Sequence, residues 1–139
     1  MKNSYSILMV RPAAFQFNEE TAANNFFQKK DMLNGIQDIV LKEFDAFVAK
    51  LRAHNVEVDI VADTPDPVKP DAIFPNNWIG LLPEGELTIY PMMAENRRLE
   101  KRPDIIQWIK DHFVVNSTKD LSEYELSGLF LEGTGSLIF

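Results

Sequence analysis

Between Asp31 and His54, the residues Ile36, Ile39, Val40, Phe44, Phe47, Val48 and Leu51 recur at three- and four-residue spacing, which lays one apolar stripe along a helix. That stripe needs a second layer to bury it, and the flanking residues supply one. Ser4 to Val10 has the length and β-branched ending of a buried strand, closed by Arg11-Pro12 because proline cannot continue a ladder. Val56, Val58 and Ile60 alternate with Glu57 and Asp59, the period of a strand with one face buried. Strand, helix, strand is the expected opening unit. His54-Asn55 ends the helix, since Asn tolerates the left-handed conformation that follows a helix C-terminus, and His54 reads as helix-terminal rather than catalytic. Pro12 to Lys30 has no clean period and is expected to be a loop without regular structure.

Three prolines within Asp63-Thr-Pro-Asp-Pro-Val-Lys-Pro70 forbid helix and predict a rigid, extended loop. Asn77 to Leu82 and Leu87 to Tyr90 flank Pro83-Glu-Gly-Glu86, which reads as a β-hairpin. Pro103-Asp104 starts a helix with the apolar stripe Ile105, Ile106, Ile109 and Phe113, and Phe113 to Asn116 follows as a short strand. A further hairpin is expected from Leu129 to Leu131, through Gly133-Thr-Gly135, and out along Ser136 to Phe139. The order implies a repeated ββαβ module with unit boundaries near residues 77 and 130. Ala72-Ile-Phe-Pro-Asn-Asn77 aligns weakly with Gly128-Leu-Phe-Leu-Glu-Gly133, placing Asn76 and Glu132 at equivalent positions.

Composition narrows the chemistry. With 139 residues and 45% hydrophobic content the chain can bury a core, as one domain or as part of one. A formal charge of −7 argues against nucleic-acid backbone binding. The absence of Cys removes disulfides, thiolate metal sites and a cysteine nucleophile from these residues. No apolar stretch approaches the ~20 residues of a membrane span, and Ile7 to Val10 is shorter than the ~7–15 residues of a signal-peptide core. The expectation is a soluble, cytoplasmic protein that binds neither nucleic acid nor membrane.

Three clusters carry candidate chemistry, each with a plainer alternative. In Pro70-Asp71-Ala-Ile-Phe-Pro-Asn-Asn-Trp78, one carboxylate and two amides could grip a polar planar group, although Asp and Asn beside Pro are also ordinary turn residues. In Asn96-Arg-Arg-Leu-Glu-Lys-Arg102, Arg97 or Arg98 could hold a carboxylate by a two-pronged pair, or the run is a solvated loop before a helix. In Leu131-Glu-Gly-Thr-Gly135, Glu132 could orient an imidazole beside closely approaching backbone, or the segment is a glycine hairpin. The glycines are too close for a phosphate loop, and no Lys-Ser/Thr pair follows them. His112 has no metal partner at helical spacing and reads as structural.

Taken in order, Val10-Arg11-Pro12, Pro70-Asp71-Ala-Ile-Phe-Pro-Asn-Asn-Trp78, Tyr90-Pro91 with Asn96-Arg97-Arg98, and Phe130-Leu-Glu-Gly-Thr-Gly135 resemble the amidinotransferase and arginine-deiminase superfamily. Within it the sequence is most similar to the citrulline-utilisation hydrolases and the related dimethylargininases. The resemblance implies an α/β propeller, or pentein, of five ββαβ units, of which this chain would supply about half, as the N-terminal part of a single domain. It implies a hydrolase or amidinotransferase in which a cysteine thiolate attacks a guanidino or ureido carbon and a His transfers protons, with no cofactor and no metal. By position, Asp71, Asn76 and Asn77 would hold the head group, Arg97 or Arg98 the α-carboxylate, and Glu132 the catalytic His. Related dimethylargininases often have acids at the last two head-group positions, so the amides here suit an uncharged ureido group better than a guanidinium.

The family's catalytic His and Cys lie beyond Phe139, so the chain by itself is expected to be inactive. A truncated gene product, a proteolytic fragment and a natural half that pairs with another chain all remain open. The competing expectation is a non-catalytic binding or assembly module, with self-association or a complementing chain covering exposed strand edges. A third is a plain α/β domain that retains no site.

Overall fold

The structure, a computed structural model, describes residues 6–22 and 35–133, and these divide into two compact units between Phe74 and Pro75. In the first unit, β1 (Ser6–Arg11), α1 (Glu19–Ala22), α2 (Ile36–Ala53) and β2 (Glu57–Ala62) follow in order. β1 and β2 pair in parallel, with Ser6 opposite Glu57 and Arg11 opposite Ala62. Parallel neighbours need a crossover, and α2 provides it. Phe44 and Val48 of α2 are buried with Val58 of β2, and Met9, Leu51, Val56 and Ile73 pack around them. The Arg11 guanidinium donates to both Asp45 carboxylate oxygens at 3.0 and 2.9 Å, tying the end of β1 to α2. Asn55 has φ 60°, the left-handed turn expected after the helix.

Three expectations for this unit change. The segment after Pro12 contains the short helix α1, because Asn18 caps it: the side-chain oxygen of Asn18 accepts from Glu20 N at 3.1 Å, and its carbonyl accepts from Ala22 N at 3.0 Å. Ile39 and Phe47 belong to the apolar stripe of α2 yet are exposed, because the two-stranded sheet covers only the Phe44–Val48 side of the helix. Ile60 is exposed as well, although it shares the Val58 face of β2 by period. Residues 23–34, with the expected start of the helix at Asp31, and the start of the first strand at Ser4 lie outside the described residues.

The second unit opens with a 3-10 turn at Pro75–Asn77, followed by β3 (Ile79–Leu81), β4 (Glu86–Ile89), α3 (Glu95–Arg98), α4 (Pro103–His112), β5 (Ser117–Asp120) and a 3-10 segment at Ser122–Ser127. β3 and β4 form the expected hairpin, Ile79 opposite Ile89, around Gly85 at φ 80°. β4 pairs in parallel with β5, and the sheet order is β3-β4-β5. This is one ββαβ module, with α4 in the crossover. Pro103 begins α4, and its Ile105 and Ile109 are buried, as the stripe requires.

The strand expected at Phe113 to Asn116 instead lies at Ser117–Asp120. Phe113 N still donates to Ile109 O at the end of α4. Asn116 is held to the hairpin turn, its backbone N donating to Gly85 O at 2.8 Å and its Nδ2 to Glu84 O at 2.7 Å. All four β5 residues are polar and exposed, so no alternation betrays them. Leu129 to Leu131 form no strand, because Gly128 at φ 68° turns the chain out of the preceding 3-10 segment. The rest of that expected hairpin, from residue 134, lies outside the described residues. Among the described residues, no helix is long and apolar enough to cross a membrane.

Candidate functional site

Arg97 joins two of the other residues singled out in the sequence. It sits at the end of α3, where Glu100 N donates to Arg97 O at 3.1 Å and so brings residues 97 and 100 onto one side of the turn. The Arg97 guanidinium donates through Nε to Glu100 Oε1 at 3.0 Å and through Nη2 to Glu100 Oε2 at 3.1 Å, the two-pronged geometry of an arginine fork. Nη2 also donates to Asn77 Oδ1 at 3.3 Å, and Nη1 lies 3.5 Å from Glu132 Oε2. The Arg97 and Glu100 side chains are 6% and 1% exposed, whereas that of Glu132 is 30% exposed. A buried cation thus links the amide of one motif to the carboxylate of another, far apart in sequence.

Backbone contacts hold the same two segments together. Trp78 is buried at the end of the Pro75–Asn77 turn, and its carbonyl accepts from Tyr90 N at 2.8 Å. Leu131 N donates to Pro91 O at 3.0 Å. A β-carbon at Gly133 would lie 2.5 Å from Asn76 O and 2.8 Å from Tyr90 Cε2, so glycine is what lets residue 133 approach the Asn-Asn turn. Burial of the Tyr90 phenol, helped by the Glu86 carboxylate, raises its pKa above the ordinary tyrosine value.

Arg98 faces different partners. Its Nε donates to Met92 O at 3.0 Å and its Nη2 to Met93 O at 3.1 Å, with Glu125 Oε2 3.5 Å from Nε and the Phe130 ring centroid 5.8 Å from the guanidinium carbon. Glu125 also accepts from Lys101 Nζ and from Met92 N. The run Asn96 to Arg102 is therefore a knot of paired charges, not the solvated loop that composition alone allows.

Asp71 belongs to the first unit, where it is buried and accepts from Asn18 Nδ2 at 2.7 Å and from Thr21 Oγ1 at 3.4 Å. Sequence reasoning missed Asn18, Thr21 and Glu100. Asn18 had a readable signal, an Asn before Glu19-Glu20 in the pattern of a helix cap. Glu100 had a weaker one, its three-residue spacing from Arg97. Among the described residues, no group of three or more His, Asp or Glu could hold a metal ion.

The family described as N,N dimethylarginine dimethylhydrolase, eukaryotic, matches residues 11–139. The chain belongs to this dimethylarginine dimethylhydrolase family. That places it in the superfamily its motifs resemble. Among solved structures it is similar to unliganded AgrE, with a TM-score of 0.63 and 19% identity over 94% of this chain and 17% of that one. It is also similar to a histidine-to-glycine variant of dimethylarginine dimethylaminohydrolase, solved as an adduct with S-methyl-L-thiocitrulline. There the TM-score is 0.58 and the identity 20%, over 92% of this chain and 44% of that one. The chain thus spans less than half the length of either structure, and at these identities the likeness is one of mixed α/β fold. No curated protein sequence matches the chain.

Proposed function

We propose that the chain supplies part of a guanidino- or ureido-hydrolysing site built on an α/β propeller, in a cytoplasmic protein, with the nucleophilic thiol and the proton-transferring histidine supplied from outside these 139 residues. The observation that carries this reading is the Arg97 bridge, which sets Asn77 and Glu132 against one buried cation in a chain of this family. Asn77, with Asn76, would hold the planar head group through amide hydrogen bonds. Glu132, part-exposed beyond Arg97, would orient the imidazole that moves protons to and from the leaving nitrogen. Arg97 or Arg98 would hold an α-carboxylate. The amides favour a citrulline-like ureido group over a guanidinium.

The test is an assay of the purified chain for release of ammonia from citrulline and arginine and of dimethylamine from N,N-dimethylarginine. No turnover is expected, because the chain has no thiol to attack the central carbon. Robust turnover would overturn the mechanism. Citrulline is expected to raise the melting temperature, since a ligand that binds only the folded state stabilises it; no shift with citrulline or arginine would favour a domain without a retained site.

A second reading, a binding or assembly module, is favoured by Leu126, 92% exposed, with Leu129, Phe130 and Tyr124 exposed nearby in sequence. Light scattering separates the two readings: self-association supports the assembly module, and a clean monomer counts against it.

A further inference from the structure

We infer that Glu125 is a positioning residue: its carboxylate grips the peptide group between Pro91 and Met92 from one side while Leu131 holds it from the other, and this straddle sets where Glu132, the next residue, stands. The role of Glu132 in orienting an imidazole rests on the function proposed above. Met92 N donates to Glu125 Oε1 at 2.7 Å, and Leu131 N donates to Pro91 O at 3.0 Å. That N–H and that carbonyl belong to one planar peptide group, which in its trans form points the two in opposite directions. A carboxylate that fixes the N–H therefore fixes the direction in which the carbonyl is offered to Leu131. The hydrogen bond is made by a charged acceptor, and Met92 is fully buried.

The grip is itself held. Lys101 Nζ donates to the same Glu125 oxygen and, at 2.8 Å, to Ser122 Oγ, so the carboxylate is tied to the start of its own 3-10 segment. The Glu125 and Lys101 side chains are 11% and 10% exposed. Between the two contacts the chain is closed by its own backbone: Gly128 N donates to Glu125 O at 3.2 Å and Leu129 N to Tyr124 O at 3.0 Å, with Gly128 at φ 68° making the turn. Leu131 follows soon after that glycine. A 3-10 segment released from Met92 would therefore draw Leu131 off Pro91 O and carry Glu132 with it.

The experiment is amide hydrogen exchange by NMR of the whole ¹⁵N-labelled chain. In the wild type the Met92 and Leu131 amides should be protected to the same degree, within about threefold, because the two sides of one peptide group open together. Widely different protection would show that they open independently and would overturn the inference, and this arm needs no variant to fold. In Glu125→Ala, Leu131 exchange should accelerate about tenfold and the Glu132 amide signal should move, with the Ile105 and Ile109 methyl signals unmoved. Glu125→Gln keeps an oxygen for the Met92 N–H and should restore most of the protection. A folded Glu125→Ala with wild-type Leu131 exchange would sink the inference. So would a Glu125→Gln that behaves like Glu125→Ala, since the charge beside Lys101 and not the grip on the peptide would then place the segment.

Free imidazole, standing in for the histidine side chain, supplies the second arm. Added to the wild type it should shift the ¹³C signal of the Glu132 carboxyl, and the concentration needed for half the shift should rise about tenfold in Glu125→Ala. An unchanged concentration would show that Glu132 does not depend on Glu125, against the inference. If imidazole leaves Glu132 unmoved in the wild type, the role proposed for Glu132 fails, while the exchange data still decide the grip on the peptide.

Discussion

Lys69 places its ammonium 3.2 Å from an Asp63 carboxylate oxygen in a site where both side chains are 1% exposed. The same ammonium donates to Thr64 O and Thr64 Oγ1 at 2.9 Å and to Pro67 O at 2.6 Å. The proline-rich run is thus wound around a buried cation that satisfies its carbonyls, and Asp71 follows two residues later. Lys69→Met removes the charge and strands these acceptors along with a buried carboxylate. We expect a loss of about 3–5 kcal/mol in urea unfolding, the scale for breaking one side of a buried pair. A loss under about 1 kcal/mol, the range of a surface pair, would show that the site is wet.

Asn18 uses both ends of its amide, the oxygen to cap α1 and the nitrogen to hold Asp71. Asn18→Ala should cost about 1 kcal/mol for the cap and a further 1–3 kcal/mol for the hydrogen bond lost by a buried carboxylate. Asn18→Ser keeps a cap acceptor but is too short to reach Asp71, so it should recover only the smaller part. Wild-type stability of Asn18→Ser by urea denaturation would show that the Asp71 contact contributes nothing, and equal stability of the two variants would show the same of the cap.

The Arg11–Asp45 pair gives an acid limb. The hydrogen bond from Arg11 holds the Asp45 carboxyl below its ordinary value, with Coulombic attraction adding to it and desolvation opposing. A depressed carboxyl pKa contributes stability above the unfolded value of about 4, and that contribution is lost as pH falls through the folded value. Asp45→Asn should therefore be slightly less stable than wild type at pH 7 and equal to it in strong acid. A gap between their urea midpoints that stays constant across this window would contradict the assignment.

Much of the fold was legible where burial follows a period. The stripe on α2 and the Pro103-Asp104 start of α4 read directly from spacing and end chemistry. β5 did not, because Ser117 to Asp120 are all polar and exposed, and their strand geometry comes from pairing with β4. Ile39 and Phe47 misled in the other direction, since a period says which residues share a face and not whether anything covers it. At the site, residue types were legible and partnerships were not. Arg97 or Arg98 was readable as a cation able to fork a carboxylate, but only the folded turn shows that Glu100 claims two of the Arg97 nitrogens.

Burial raises the Tyr90 pKa, so the folded state keeps its phenol proton at a pH where the unfolded chain has lost it. Stability should then fall as pH rises above the unfolded value of about 10, until the folded phenol also ionises. Tyr90→Phe removes that alkaline limb. Thermal unfolding from pH 8 to pH 11 should show a flatter profile for Tyr90→Phe than for wild type, and parallel profiles would exclude Tyr90 as the source.

Gly133→Ala tests whether the approach of the Leu131-Glu-Gly segment to the Asn-Asn turn sets the position of Glu132. The added methyl would sit 2.5 Å from a backbone oxygen, Asn76 O, and 2.8 Å from the Tyr90 ring, neither of which is the end of a flexible side chain. Overpacking of this kind costs about 1–3 kcal/mol where the structure cannot shift. A shift of the segment that relieved this contact would carry Glu132 away from Arg97 Nη1. The expected outcome is a modest loss of stability with a displaced Asn77 side-chain amide signal, while the Arg97–Glu100 fork remains intact. Gly80→Ala is the control, because its β-carbon would meet the Tyr90 hydroxyl at 3.1 Å and its three nearest atoms all belong to Tyr90. If both variants disturb Asn77 equally, the effect passes through Tyr90 packing, and the close approach at Gly133 has no separate role in placing Glu132.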